Sequence, residues 1–169
     1  FNKAAELFSI FLLKDGAFLL DEYKDAQYAL AYSYFQSTKY SQSTKWFRKF
    51  LKNSSDSIKL TDANLRLGDA YYMQRDYRRA QAYYSQATMT GTFDVDYALY
   101  QQSLCFGLSN QNSKKRQVLT QIIDEFSSSI YHDDALMDLS ILYVDQGDQK
   151  TSIELLNQLI GAKKEDSYQ

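Results

Sequence analysis

Side chains able to carry chemistry are few in this 169-residue chain: one histidine, His132, one cysteine, Cys105, and 21 Asp and Glu against 19 Lys and Arg. A general base needs an orienting partner and a nucleophile within reach. His132 has Asp133 and Asp134 beside it but no nucleophile motif, and reads as a surface loop histidine just before a helix. Cys105 precedes Phe106 on a face expected to be interior, where a free thiol behaves as a small, inert apolar group. A lone cysteine closes no intrachain disulfide, so it does not indicate redox compartment. Cys105 and His132 alone cannot supply the three or four ligands of a Cys/His zinc site. No cofactor and no metal are expected.

Charged residues are more regular. Carboxylates recur at Asp25, Asp62, Asp96 and Asp134. As a ladder they would hold a metal or substrate; as helix N-terminal residues they would cap free N–H groups and complement the dipole, at about 0.5–2 kcal/mol each. The second reading is the expectation. Basic clusters at Lys45/Arg48/Lys49/Lys52, Arg75/Arg78/Arg79 and Lys114/Lys115/Arg116 read as a solvated outer face. A net charge of -2 and a pI near 5.4 argue against a general nucleic-acid binder. No stretch approaches the ~20 apolar residues of a membrane helix. The chain starts at Phe1 and reads as a fragment or processed product.

What must position these residues is set by a repeat. Alanine recurs at Ala26, Ala63, Ala98 and Ala135, spaced by 37, 35 and 37 residues. Four residues after each stand Leu30, Leu67, Gln102 and Leu139; five after, Ala31, Gly68, Ser103 and Ser140; eight after, Tyr34, Tyr71, Phe106 and Tyr143. Later in each unit come Phe47, Tyr84, Leu119 and Leu156, then Phe50, Ala87, Ile122 and Leu159. The alanine and the positions four and eight beyond it share one face of a helix. Polar segments Gln36 to Ser41, Gln74 to Asp76, Ser109 to Ser113 and Asp145 to Gln149 read as turns between antiparallel helices. The small-residue column lets a neighbouring backbone approach while the large aromatic fills the next groove.

On these residues the chain resembles the tetratricopeptide repeat family. Leu67-Gly68, Tyr71, Asp76-Tyr77, Ala80, Tyr84 and Ala87 match best; Leu30-Ala31, Tyr34, Tyr40 and Phe47, and Leu139, Tyr143, Gly147-Asp148 and Leu156, match in the first and fourth units. The third unit is degenerate, with Gln102 for leucine and Lys115 for alanine; Asn64 fills a tryptophan slot and the closing proline is absent. The resemblance implies an all-α fold, a right-handed superhelical solenoid of antiparallel helix pairs with about nine helices. Residues 1–20 would be the second helix of a truncated preceding repeat. Repeats would occupy 24–52, 61–90, 96–126 and 133–160, with a polar tail at 161–169, all in one solenoid domain. Extra residues fall at Asn53 to Leu60, Gly91 to Asp96 and Ser127 to Asp134. The segment Phe126-Ser-Ser-Ser-Ile-Tyr-His-Asp-Asp-Ala135-Leu136 is similar to inter-repeat linkers of bacterial cell-envelope members, of the outer-membrane assembly lipoprotein and Tol-Pal coordinator type. That likeness implies a bacterial periplasmic or outer-membrane-associated location, with the cytoplasm as the alternative. Solenoid ends normally carry polar caps. Neither end here does, so more repeats are expected in the parent protein and self-association through the ends stays open.

In this family first helices line the concave surface. Carrying that over places Tyr28, Tyr32, Phe35 and Gln36, then Leu65, Asp69, Tyr72 and Met73, then Tyr100, Leu104 and Leu108, then Met137, Ile141 and Asp145 in the groove. The Lys, Asn and Arg with which relatives clamp a peptide carboxylate are missing, which speaks against a co-chaperone of that type. The expected function is a non-enzymatic scaffold that binds a protein or peptide partner through aromatic anchors. Replacing Tyr28, Tyr72 and Tyr100 with alanine is expected to weaken capture without unfolding the chain. The alternative is a carbohydrate-binding component of a glycan-uptake or cell-wall system, since tyrosine faces pack on sugar rings and carboxylates accept hydroxyl bonds. An RNA-reading helical repeat is disfavoured by the acidic charge, and an enzyme is the least expected reading.

Overall fold

The computed structural model of the chain describes residues 1–91 and 93–166, the last five as helix backbone. Nine α-helices run through the described residues: α1 Asn2–Leu12, α2 Glu22–Gln36, α3 Tyr40–Asn53, α4 Ser57–Met73, α5 Tyr77–Thr90, α6 Val95–Leu108, α7 Asn112–Glu125, α8 His132–Asp145 and α9 Gln149–Asp166. A 3-10 turn at Ala17–Leu19 follows α1. No strand occurs among the described residues. The chain divides into two compact units, Phe1–Val95 and Asp96–Gln169. In the first, α1 packs on α2, α2 pairs with α3 and α4 with α5; in the second, α7 packs on α8 and α8 pairs with α9.

The repeated columns become the core. Leu30, Ala31, Ala63, Leu67, Ala98 and Ala135 are sealed from solvent or nearly so, as are Phe47, Tyr84, Leu119 and Ile122. Gly68 shows why one column is small: a Cβ there would stand 2.5 Å from a ring carbon of Tyr84, so the α4 backbone rests directly on the α5 aromatic. Where the column holds serine, Ser103 Oγ donates to the Tyr100 carbonyl and Ser140 Oγ to the Met137 carbonyl, both at 2.7 Å, which satisfies the buried hydroxyls within their own helices. Asn64, in the tryptophan slot, is likewise buried and donates to the Leu60 carbonyl at 2.9 Å.

Each helix pair closes through the same three-residue turn. Thr38, Arg75, Asn110 and Gly147, each twelve residues after its column alanine, have φ of 58, 59, 54 and 82°. The next amide in each turn donates back to the carbonyl of the large aromatic: Lys39 to Tyr34, Asp76 to Tyr71, Gln111 to Phe106 and Asp148 to Tyr143, all at 2.9 Å. This six-to-one bond is the Schellman closure of a helix C-terminus. It makes the last orphan carbonyls of the first helix the anchor for the second.

Three expectations change. The N-caps that accept amide bonds through their side chains include Asp56, which takes Ile58 N and Lys59 N at 3.1 Å, and Asp76, which takes Arg79 N at 3.0 Å. Asp25, Asp96 and Asp134 sit inside the first turns, where they complement the helix dipole as expected, whereas Asp62 is a full turn into α4, because α4 opens at Ser57 and absorbs much of the expected linker. His132 is the first residue of α8 and only 20% exposed at its side chain, rather than a loop residue. Gly161 does not end α9, which continues through Asp166; residues 167–169 of the expected polar tail lie outside the described residues.

Candidate functional site

In the first unit the first helices α2 and α4 stand side by side, and a polar relay crosses between them. The Tyr28 hydroxyl on α2 donates to Asp62 Oδ2 on α4 at 2.5 Å. Arg66, one turn further along α4, donates from Nε to Asp62 Oδ1 at 3.3 Å and from Nη1 to Asp69 Oδ2 at 2.5 Å. The Tyr84 hydroxyl on α5 completes the chain by donating to Asp69 Oδ1 at 2.8 Å. Asp62, Arg66 and Asp69 fall at i, i+4 and i+7, which is the spacing that puts three side chains on one stripe of a helix. Two carboxylates flank one guanidinium between two phenols, and burial together with Asp62 holds the Tyr28 phenol well above the ordinary tyrosine range. With both phenol hydroxyls donating to carboxylates that also meet Arg66, the network ties α2, α4 and α5 together.

The aromatics of α2 form a continuous ring ladder on the same face. Tyr28 packs on Phe47 and Phe50 of α3 at centroid distances of 5.7 and 5.2 Å, and Tyr32 stacks on Tyr28 at 6.3 Å. Phe35 lies 6.5 Å from Tyr32, meets Tyr40 at 5.7 Å, and has the Arg66 guanidinium 5.9 Å above its ring. On α4, Tyr72 meets Tyr77 edge-on at 5.7 Å and Met73 is 57% exposed. The surface left for a partner in this unit is therefore the half-buried rings of Tyr32, Phe35 and Tyr72 with exposed Gln36 and Met73.

In the second unit, Tyr100 stacks on Tyr131 at 5.1 Å, and Tyr97 lies 5.9 Å from the same ring. Tyr131 is held in turn by Ser129, whose Oγ donates to Asp96 Oδ2 at 2.5 Å and accepts the Tyr131 amide at 3.0 Å. Serine in this linker thus ties α6 to the start of α8. Lys115, in the degenerate alanine slot, passes over Gly107 and reaches Asp138 of α8 at 3.0 Å, so an ion pair replaces the missing small contact. Leu108, Met137 and Ile141 are 53%, 42% and 50% exposed, Leu104 is half-buried and Asp145 exposed.

Of the predicted groove residues, then, Tyr32 and Phe35 adjoin on α2 and Tyr72 and Met73 follow each other on α4 of the first unit, while Leu104, Leu108, Met137 and Ile141 are the half-buried or exposed apolar ones of the second. Leu65 leaves the set, since it is fully buried, and Asp69 is buried with both oxygens engaged. Tyr28 and Tyr100 are packing residues, so truncating them removes core contacts as well as surface. Sequence reasoning missed Arg66 and Asp62 as a pair. Their i, i+4 spacing of opposite charges within α4 was the available signal.

The tetratricopeptide repeat model matches residues 62–88 and 97–129. No curated protein sequence matches the chain. Among solved structures, the crystal structure of MamA superposes with a TM-score of 0.77 at 14% identity, over 98% of this chain and 90% of that one. MamA from Desulfovibrio magneticus RS-1 gives 0.67 at 17% identity, over 96% of each chain. YrrB, described as a TPR protein with an unusual peptide-binding site, gives 0.69 at 18% identity, over 95% of this chain and 78% of that one. Nine helices, four identical turn closures and these superpositions give the chain the all-α helix-pair fold of the tetratricopeptide repeat family, with α4 to α7 carrying the segments that match the family's own pattern.

Proposed function

We propose that the chain is a non-enzymatic interaction scaffold that takes a peptide or protein segment on the face of its first helices, with Tyr32, Phe35, Tyr72 and Met73 as the anchoring surface. The observation that carries this reading is the relay from Tyr28 through Asp62, Arg66 and Asp69 to Tyr84, which locks α2, α4 and α5 while leaving the neighbouring rings half open. A preorganised aromatic face loses little conformational entropy on docking. Proteins with this repeat generally serve as interaction scaffolds, and the peptide site described for YrrB supports a peptide as the occupant. The carbohydrate reading is weaker on this face of the first unit, because Asp62 and Asp69, which would accept sugar hydroxyls there, are already engaged.

The test is selection from a displayed random-peptide library, followed by binding of enriched peptides to a Tyr32→Ala/Tyr72→Ala/Met73→Ala variant. Loss of about tenfold or more in affinity is expected at a temperature where the variant's helical circular-dichroism signal shows it folded, since each truncated anchor removes ~1 kcal/mol or more. Equal binding by the variant, or no enrichment alongside a response on a glycan array, overturns the reading.

Placement in a bacterial cell-envelope protein, periplasmic or outer-membrane-associated, is a further part of the proposal and rests on the linker resemblance. Among the described residues no helix is long and apolar enough to cross a membrane. Fractionation of cells expressing the tagged parent protein decides it, and recovery with the cytoplasm contradicts it. Self-association through the helix-pair ends is supported by exposed Leu7 and Ile10 on α1, Leu13 just after it, and Ile153 and Ile160 on α9.

A further inference from the structure

A different surface of the first unit carries its own chemistry. Lys45, Arg48, Lys49 and Lys52 recur at helical spacing along α3, a stripe about 10 Å long. All four are exposed, and none forms an ion pair among the described residues, whereas Lys59, Arg66, Arg79, Lys115 and Lys150 each do. The α3 sequence from Tyr40 to Asn53 contains no acidic residue to interleave with them. Like charges one turn apart oppose each other, so the stripe is held in a state that an anion would relieve.

The stripe borders a trench of about 430 Å³ rather than a flat helix face. Its floor is closed by internal bonds: Ser41 Oγ donates to Gln74 Oε1 at 3.2 Å, Thr44 Oγ1 to the Ser41 carbonyl at 3.1 Å, and Gln74 Nε2 to the Ala70 carbonyl at 2.9 Å. The far wall is Arg79, already paired with Asp76 and lying 4.6 Å above the Tyr71 ring. The unneutralised charge is therefore all on the α3 side, spread along a line.

We propose that this trench is a docking groove for an acidic peptide segment of a partner protein, distinct from the aromatic face and independent of its function. An extended chain places alternate side chains ~6.6 Å apart, close to one helical turn of 5.4 Å, so successive carboxylates meet successive rungs of the stripe. A compact anion would use only one rung. A nucleic acid would need exposed rings for its bases, and the one aromatic of the lining, Tyr71, is 3% exposed between Arg79 and the stacked ring of Tyr83. A bilayer would need exposed apolar anchors, and the lining supplies none. Because the floor is self-satisfied, recognition reads charge spacing and tolerates sequence.

The probe is a fluorescein-labelled decapeptide of alternating Asp and Glu, titrated by fluorescence polarisation at low and high salt. Saturable binding that weakens with salt is expected. The Lys45→Gln/Arg48→Gln/Lys52→Gln variant should bind about tenfold more weakly with an unchanged melting curve, since three rim charges are lost. The Tyr72→Ala/Met73→Ala variant should bind as the parent does, which separates failure here from failure of the aromatic-face reading. Absence of binding at low salt, or equal binding by the triple variant, overturns the proposal. So does tighter binding of an oligothymidylate or of phosphatidylserine vesicles through the same three residues, or salt-sensitive self-association abolished by the triple variant.

Discussion

Asp62 illustrates how a single carboxylate changes meaning between chain and fold. By spacing it belongs to a column of helix-starting acids; in place it accepts the Tyr28 hydroxyl from α2 and pairs with Arg66 on its own helix. Tyr28→Phe removes one hydrogen bond to a carboxylate and leaves the ring packing intact, so a loss of about 1.5–3 kcal/mol is expected in denaturant melts at neutral pH. Burial and Asp62 raise the Tyr28 phenol above its unfolded value. The bond's contribution is then fully present below the unfolded tyrosine value of about 10 and is lost as pH rises through the folded one. The wild type should lose stability on alkaline titration more steeply than Tyr28→Phe; equal slopes would show that the phenol does not report on the relay. The relay was half legible beforehand. Tyr28 and Asp69 were singled out for a groove, but only the structure shows that Asp69 faces Arg66 and Tyr84 instead of a ligand, because a side chain's partner across two helices is set by their crossing, which no local spacing encodes.

At the scale of elements the repeat columns were the most legible feature, since each column is a burial demand repeated on the same helical face. Gly68 is its sharpest member. With Tyr84 ring carbons 2.5 to 2.8 Å from the position of a Cβ, Gly68→Ala must displace a fully buried aromatic, and a loss of about 1–3 kcal/mol is expected in thermal melts despite alanine's better helix propensity. The turns were located correctly but their conformation was half hidden: of their four left-handed positions Gly147 and, more weakly, Asn110 announce themselves, while Thr38 and Arg75 hold the same conformation without a local signal. A left-handed backbone disfavours L side chains. Arg75→Gly is therefore expected to stabilise by about 0.5–1 kcal/mol, the gain limited by glycine's extra unfolded-state freedom. A destabilised variant would mean that the Arg75 side chain contributes more than its backbone strain costs. Helix starts were the least legible boundaries. Asp56 takes the capping role, so α4 begins at Ser57, within the segment that the period alone assigns to a linker.

For the whole molecule the sequence carried fold class and helix pairing, and left open which aromatics are structure and which are surface. The difference is one of which rings they meet: Tyr28 rests on the buried Phe47 and Phe50 of the neighbouring helix, and Tyr100 on Tyr131, whereas Tyr32, Phe35 and Tyr72 meet other half-buried rings. Charge divides likewise, with an unpaired basic stripe on α3 of the first unit, which holds most of the chain's Lys and Arg, while the acidic residues are shared about equally between the units. A scaffold with two chemically different faces on one unit can hold an aromatic-seeking segment and an acidic one at once, if neither disturbs the relay between α2, α4 and α5. The most direct measurement is amide chemical-shift mapping of the isotope-labelled chain titrated with a library-selected peptide. Saturable shifts concentrated at Tyr32, Phe35, Gln36, Tyr72 and Met73 are expected; shifts confined to α3, to the second unit, or absent at saturation would contradict a peptide site on the first-helix face.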